Sequence, residues 1–112
     1  MTSEQSDDQQ FRQRADALLD GLLEHLDTFD PDELEADASA GVIKMTFASG
    51  VCVLNRQSAA HQIWLAEGAS AWHFEWDEAA GAWMDTKGRG SLQRVLGEIL
   101  SRRLGRTIEL PA

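Results

Sequence analysis

The apolar residues in the first quarter of the chain recur every three or four positions. Over residues 11–26 this spacing predicts a helix with one broad buried face. Asp7 or Asp8 is the expected N-cap, and the helix is expected to end near Asp27, before the turn-forming Asp30-Pro31-Asp32 sequence. Gly21 lies inside this helix at a cost of about 1 kcal/mol relative to alanine, which indicates close packing against a neighbouring element.

From residue 34 the apolar period changes to two, which is typical of strands with one buried face. Short alternating segments are separated by turns that contain glycine. The predicted strands are residues 34–39, 42–47, 51–55, 61–66, 71–77 and 82–85, with residues 56–60 as a loop. In the first of them Leu34 faces inward and the carboxylates of Glu35 and Asp37 face outward.

A second helix is predicted to begin after Ser91, a good N-cap, and to stop at Gly105. Arg102, Arg103 and Arg106 are expected to complement the negative end of its dipole. The predicted order is one helix, five or six strands on short connections, and a second helix. This order predicts an α+β fold, a two-layer α/β sandwich with two helices packed on one face of an antiparallel sheet. The other sheet face is expected to meet water. We expect residues 1–6 to be disordered and residues 7–112 to form one domain.

Charge divides the 112-residue chain into two unequal parts. Residues 1–37 carry twelve acids and two bases, whereas the remaining residues carry seven acids and eight bases, for a net charge of −9. An acidic surface disfavours nucleic acid and anionic membranes as partners and favours metal ions or a basic protein surface. The alternative is a solvated surface that only increases solubility.

Residues 16–37 contain nine carboxylates and no lysine or arginine. They are Asp16, Asp20, Glu24, Asp27, Asp30, Asp32, Glu33, Glu35 and Asp37. The first four are spaced by four, four and three residues, so on a helix they form one stripe whose mutual repulsion costs about 1 kcal/mol. This spacing predicts an open array of oxygen ligands for hard cations such as Ca²⁺, Mg²⁺, Mn²⁺ or oxidised iron, with Kd of roughly 10⁻⁵–10⁻³ M. The spacing itself does not select the metal.

Other chemistry has little support in the sequence. Neither a nucleophile elbow nor a phosphate-binding loop is present, and the histidines His25, His61 and His73 are too scattered for a zinc site. Cys52 is the only cysteine and lies in the middle of an apolar strand, so we expect it to be buried in a protein of a reducing compartment. With no apolar run of 18 residues and no leader-like start, the expected location is the cytoplasm.

Trp64 alternates with two apolar residues that should face the helices, so we expect its ring on the open sheet face. It is either an anchor for a partner or packed flat on cross-strand neighbours. Gln62 shares that face. Asn55 and Gln57 belong either to a self-stabilised loop or to the same contact surface.

Together these segments resemble the frataxin family. The acidic first helix and strand precede Asn55-Arg56-Gln57, then His61-Gln62-Ile63-Trp64-Leu65-Ala66, Trp72-His73-Phe74 and the second helix. The likeness runs from about residue 11 to residue 110, and its length and lack of a leader place the chain with the bacterial CyaY branch. The resemblance implies a frataxin-like domain over residues 7–112 with Fe²⁺ or Fe³⁺ bound on the acidic surface. Because the surface acids have no enclosing pocket, we expect weak binding and no enzyme activity, and iron oxidation by the protein itself is the least favoured alternative.

The resemblance also implies partners and site residues. Docking is expected on the cysteine desulfurase and the scaffold protein of iron–sulfur cluster assembly, by a monomer or by metal-driven oligomers. Five carboxylates match acidic positions of the family: Glu24, Asp27, Asp30, Glu35 and Asp37. Asp20 adds a further acid, whereas Leu23 and Thr28 stand where relatives often have acids, which changes the expected number of metals. Trp64 matches the family's exposed sheet tryptophan, with Asn55, Gln57 and Gln62 as the other expected partner-binding residues.

Overall fold

Two helices and six strands make up residues 6–110, the part of the chain that the computed structural model describes. In chain order they are α1 (Asp7–Leu26), β1 (Glu35–Ser39), β2 (Val42–Phe47), β3 (Gly50–Gln57), β4 (Gln62–Glu67), β5 (Ser70–Asp77), β6 (Ala82–Asp85) and α2 (Leu92–Leu104). Residues 1–5 of the segment predicted to be disordered, and residues 111–112 of the predicted domain, lie outside the described residues. No helix within residues 6–110 is both long and apolar enough to cross a membrane.

The strands form one antiparallel sheet in the order β1-β2-β3-β4-β5-β6, so β1 and β6 are its edges. Alternate residues of the inner strands are fully buried beneath the helices, among them Met45, Leu54, Leu65 and Phe74. Both helices contribute their apolar faces to this single core. The predicted two-layer sandwich is confirmed, with six strands.

Ser6 is the N-cap of α1, in place of the predicted Asp7 or Asp8. Its hydroxyl accepts a hydrogen bond from the Gln9 backbone N–H, and the Gln9 side chain accepts one from the Ser6 N–H, each at 3.1 Å. Such a capping box satisfies two N–H groups at once, which a lone aspartate cannot do. At the other helix the predictions of Ser91 as N-cap and Gly105 as the stop are confirmed.

Strand β3 is longer than predicted and takes in part of the expected loop. Arg56 pairs with Ile63 and Gln57 pairs with Gln62, so only residues 58–60 remain outside the sheet, as a single 3₁₀ turn. Because side chains alternate along a strand, Arg56 points to the helix side of the sheet. This orientation brings its guanidinium group close to α1.

The C-terminal turn of α2 is attached to the sheet by an ion-pair network centred on Glu67. This carboxylate is 6% exposed and accepts two hydrogen bonds from Arg102 at 3.0 Å and one from Arg103 at 2.8 Å. Arg103 also donates to the backbone oxygen and the hydroxyl of Ser49. Two of the three arginines predicted to complement the helix dipole therefore bind a buried partner as well.

Gly21 does not pack closely against a neighbour, contrary to the expectation from sequence. A Cβ atom at this position would meet nothing within 4 Å, because the residue lies on an exposed part of α1. Gly97 in α2 provides the close approach instead, since a Cβ atom there would lie 3.2 Å from the carbonyl oxygen of Ile108.

We therefore expect Gly21→Ala to raise the free energy of unfolding by about 0.5–1 kcal/mol, since alanine loses less backbone entropy on folding. Gly97→Ala is the matched control, because its helical gain is offset by the contact with the C-terminal segment. Urea unfolding of both variants measures the difference. A stability of Gly21→Ala no higher than that of Gly97→Ala would contradict the open position.

Candidate metal-binding and partner-binding site

The carboxylates of residues 16–37 lie at the β1 edge of the sandwich. Seven of the nine are exposed and have no ion-pair partner among the described residues: Asp20, Glu24, Asp27, Asp30, Asp32, Glu35 and Asp37. We call these seven residues the acidic ridge. The ridge therefore presents a concentrated, uncompensated negative charge to the solvent.

Asp16 and Glu33 differ from the ridge because each is half-buried and paired. Asp16 accepts a hydrogen bond from Arg56, and Glu33 accepts one from Arg106. The absence of lysine and arginine from residues 16–37 did not reveal these two pairs, because both arginines are distant in sequence and reach the carboxylates only through the fold. Asp16 and Glu33 are therefore poorer metal ligands than the others.

The ridge spans two layers of the fold. Asp20, Glu24 and Asp27 lie on α1, whereas Glu35 and Asp37 project from β1 on the face away from the helices, opposite Thr46 and Lys44. Between the layers lies a crevice of about 200 Å³ lined by Asp16, Asp20 and the β1–β2 turn. At the end of α1, the Asp30 side chain accepts a hydrogen bond from the Asp32 N–H at 2.9 Å and so orders the predicted turn.

Within residues 6–110, no three histidine, cysteine, aspartate or glutamate side chains converge as metal ligands. The carboxylates are instead distributed along an open surface. Cations that bind here keep part of their water shell, and such sites are weak and exchangeable.

Removing one charge from the stripe should stabilise the fold. Glu24 repels Asp20 and Asp27 one turn away on either side, so we expect Glu24→Gln to raise stability by about 0.5–1 kcal/mol and the Tm by a few degrees in low salt. Asp27→Asn should act in the same direction, because an anion at a helix C-terminus also opposes the dipole.

Glu98→Gln is the control, because Glu98 is a helical glutamate with Arg94 one turn away, and it should not raise the Tm. Thermal unfolding in low salt and in 1 M salt provides the measurement. A lower Tm for Glu24→Gln, or a gain that persists in 1 M salt, would contradict repulsion along the stripe.

The predicted partner-binding residues come together on the open sheet face. Asn55 on β3 pairs with Trp64 on β4, and Gln57 on β3 pairs with Gln62 on β4. The four side chains therefore form two neighbouring cross-strand pairs on the same face of the sheet. All four are half-buried. The structure thus joins residues that the sequence places on a predicted loop and a predicted strand.

Trp64 packs flat on a cross-strand neighbour, the second of the two arrangements considered from sequence. Its ring stacks on His73 with centroids 4.3 Å apart, and its indole N–H donates to the Gln62 amide oxygen at 2.7 Å. Gln62 in turn donates to Glu75 at 2.8 Å. The tryptophan is therefore held in one orientation, which lowers the entropy cost of using it as an anchor.

His73 and Arg56 were not among the predicted site residues, although each positions one of them. The residue alternation that places Trp64 on the open face does the same for His73, but their contact depends on strand register. Arg56 could be predicted only by extending β3 through residues 56–57. The signal in both cases is periodicity combined with strand pairing.

Cys52 is fully buried in β3, as predicted. Burial, together with the nearby charge of Glu67, raises the pKa of its thiol to about 12. The thiolate that a nucleophile or a metal ligand requires is therefore strongly disfavoured.

Comparison with known proteins agrees with this geometry. The family model of the frataxin-like domain matches residues 4–106. The iron–sulfur cluster assembly protein CyaY of Delftia acidovorans is 34% identical over 94% of this chain and 97% of its own length, and that of Thioalkalivibrio sulfidiphilus is 38% identical over 89% and 95%.

Solved structures show the same fold. Frataxin from Psychromonas ingrahamii superposes with a TM-score of 0.83 at 21% identity, covering 96% of this chain and all of that one. Trimeric yeast frataxin complexed with ferrous iron superposes with a TM-score of 0.67 at 24% identity, covering 94% and 92%. By its domain match, its relatives and its fold, the chain belongs to the frataxin family, in the bacterial CyaY branch.

Proposed function

We propose that this protein binds iron on the acidic ridge and acts in iron–sulfur cluster assembly, as an iron donor or an iron-dependent regulator. The ridge docks on a basic surface of the cysteine desulfurase, and the face around Trp64 contacts the cluster scaffold protein. The observation that carries the proposal is the exposed charge of the seven ridge carboxylates, which no described lysine, arginine or histidine neutralises.

Three facts support iron as the metal and assembly as the process. Carboxylate oxygens are hard ligands suited to iron ions. Relatives that align over nearly the whole chain are named as iron–sulfur cluster assembly proteins. A yeast member of the family has been crystallised with ferrous iron. Open carboxylates favour weak binding, which suits an ion that must be delivered or sensed.

A second candidate is an acidic protein-binding module whose metal binding is incidental. The same exposed charge favours it, since electrostatic complementarity steers association with a basic surface without any metal. The two candidates differ in whether Fe²⁺ changes the affinity for the desulfurase.

Anaerobic titration with Fe²⁺, followed through amide NMR signals, tests the metal role. We expect shifts or paramagnetic broadening within residues 20–37, with Kd of roughly 10⁻⁵–10⁻³ M. Glu98→Gln on α2 is the control variant, because Glu98 is an exposed carboxylate outside the ridge. The side chain of Asp85 is buried and is therefore unsuitable as a control. Signal changes confined to residues outside 16–37 would refute the ridge as the iron site.

Pull-down of the cysteine desulfurase with and without Fe²⁺ then separates the candidates. If the amount of desulfurase recovered differs with and without Fe²⁺, the result supports iron donation or iron-dependent regulation. If the two amounts are equal, the result supports the protein-binding module. For this protein, a cytoplasmic location and the lack of enzyme activity stay predictions from the sequence.

A further inference from the structure

A second charged surface lies at the opposite end of α1 from the acidic ridge. Arg14 and Glu24 are ten residues apart on the helix, which corresponds to roughly 15 Å along its axis. At this end Phe11, Trp76 and Trp83 line a pocket of about 340 Å³. Phe11 and Trp83 are buried, so the floor of the pocket belongs to the rigid core.

The aromatic floor is well defined. Trp83 packs edge-to-face against Phe11 at 5.9 Å and against Trp76 at 5.8 Å. His61 stacks on Phe11 at 5.1 Å and forms part of the wall. Aromatic faces carry partial negative charge, so several rings around one pocket attract a cation.

The rim of the pocket is acidic. The carboxylate residues Asp7, Glu75 and Glu78 line it, and Arg14 is the only lysine or arginine among its described lining residues. Negative rim and aromatic floor are complementary to a guanidinium group, which combines positive charge with a flat face that can stack.

The protein itself shows which chemistry this pocket accepts. The Arg14 guanidinium lies 5.0 Å from the centroid of the Trp76 ring and donates to Glu78 at 2.7 Å. Glu78 is 76% exposed and Arg14 is 38% exposed, and a pair this accessible is weakly held. The Trp76 indole nitrogen is buried and has no hydrogen-bond partner among the described residues, so no such bond fixes the ring.

From these contacts we infer that the Phe11–Trp76–Trp83 pocket is a docking site for an arginine side chain from a basic segment of a partner protein. Arg14 occupies the site as an internal competitor. The incoming guanidinium replaces Arg14 over Trp76 and pairs with Glu78, while the displaced Arg14 turns to water. The site is separate from the ridge and does not depend on iron.

Titration with a blocked Gly-Arg-Gly peptide tests the inference, with the indole N–H NMR signals as the readout. Those of Trp76 and Trp83 should shift, with Kd in the millimolar range. The same peptide with citrulline in place of arginine has the same shape without the charge and should produce no shift. Shifts confined to residues 16–37 would show only general attraction to the ridge and would overturn the inference, whatever the outcome for iron.

Two variants with the same charge change provide the sharper comparison. Arg14→Ala removes the competitor and should tighten binding about three- to five-fold. Arg12→Ala removes an exposed arginine two residues away, outside the pocket, and should bind like the wild type. Equal affinities for the two variants would overturn the inference. Trp76→Leu should abolish the shift of the Trp83 indole signal. If Trp76→Leu does not fold, the comparison of Arg14→Ala with Arg12→Ala tests the inference without it.

Discussion

Replacing Glu67 with glutamine is expected to lower the free energy of unfolding by about 3 kcal/mol. Glutamine has nearly the same shape but no charge, and its amide would face guanidinium donors, so Arg103, whose side chain is only 15% exposed, would be left with an uncompensated charge. Arg102 is 61% exposed and can turn to water, which keeps the loss at the low end for a broken buried ion pair. Urea unfolding at neutral pH measures the effect.

The same variant should change how stability depends on pH. Two hydrogen bonds from Arg102, together with one from Arg103, hold the pKa of Glu67 below its ordinary value despite burial. A carboxylate with a lowered folded-state pKa stabilises the protein above its ordinary pKa, and this contribution is lost as pH falls through the folded-state value. The gap between wild type and Glu67→Gln should therefore narrow on acidification below about pH 4.5.

Hydrogen bonds from Arg89 lower the pKa of Asp85 as well. Because Asp85 is present in both the wild type and Glu67→Gln, both lose its contribution to stability in acid. Glu78→Gln is the matched control for Glu67→Gln, since it breaks an exposed pair and should cost at most about 0.5 kcal/mol. A gap that stays constant from pH 7 to pH 3, or equal losses in the two variants, would contradict a buried role for Glu67.

Reversing charge on the ridge is expected to weaken desulfurase binding at least ten-fold. The double variant Asp20→Lys with Glu24→Lys raises the net charge by four units and places two cations in the middle of the stripe. A basic partner surface would then meet repulsion where it now meets attraction, which slows association and weakens the complex. Kd is measured with purified desulfurase in low salt, with and without Fe²⁺.

The matched control carries the same charge change on the α2 side. Glu98→Lys with Glu109→Lys alters two exposed residues outside the ridge and should leave Kd within about two-fold of the wild type. Equal weakening by both double variants would reduce the effect to net charge and refute docking through the ridge. Loss of binding in the ridge variant to the same extent with and without iron would favour the protein-binding module.

Local sequence signals were sufficient for the elements, because each has its own period. The spacing of apolar residues predicted both helices and all six strands within a few residues, and Ser91 and Gly105 marked the ends of α2. The N-cap of α1 was misplaced by one or two residues, because two aspartates follow Ser6 and are also good N-caps. The reciprocal hydrogen bonds between Ser6 and Gln9 make Ser6 the N-cap.

Contacts between distant residues could not be predicted in this way. Arg56 reaches Asp16 only because β3 continues to Gln57, and Arg106 reaches Glu33 only after α2 has returned across the sheet. The stacking of Trp64 on His73 depends on strand register. Charge density along the sequence therefore located the ridge, but the fold determined which of its carboxylates stay free.

Glu35 and Asp37 occupy a peripheral strand whose outer backbone groups have no partner strand within the described sheet. Like charges on such a strand keep two molecules from extending their sheets into each other. Iron bound to these carboxylates would cancel that repulsion at the same place where backbone hydrogen bonds can form between molecules. The metal load would then set the tendency to self-associate, and chelation would reverse it.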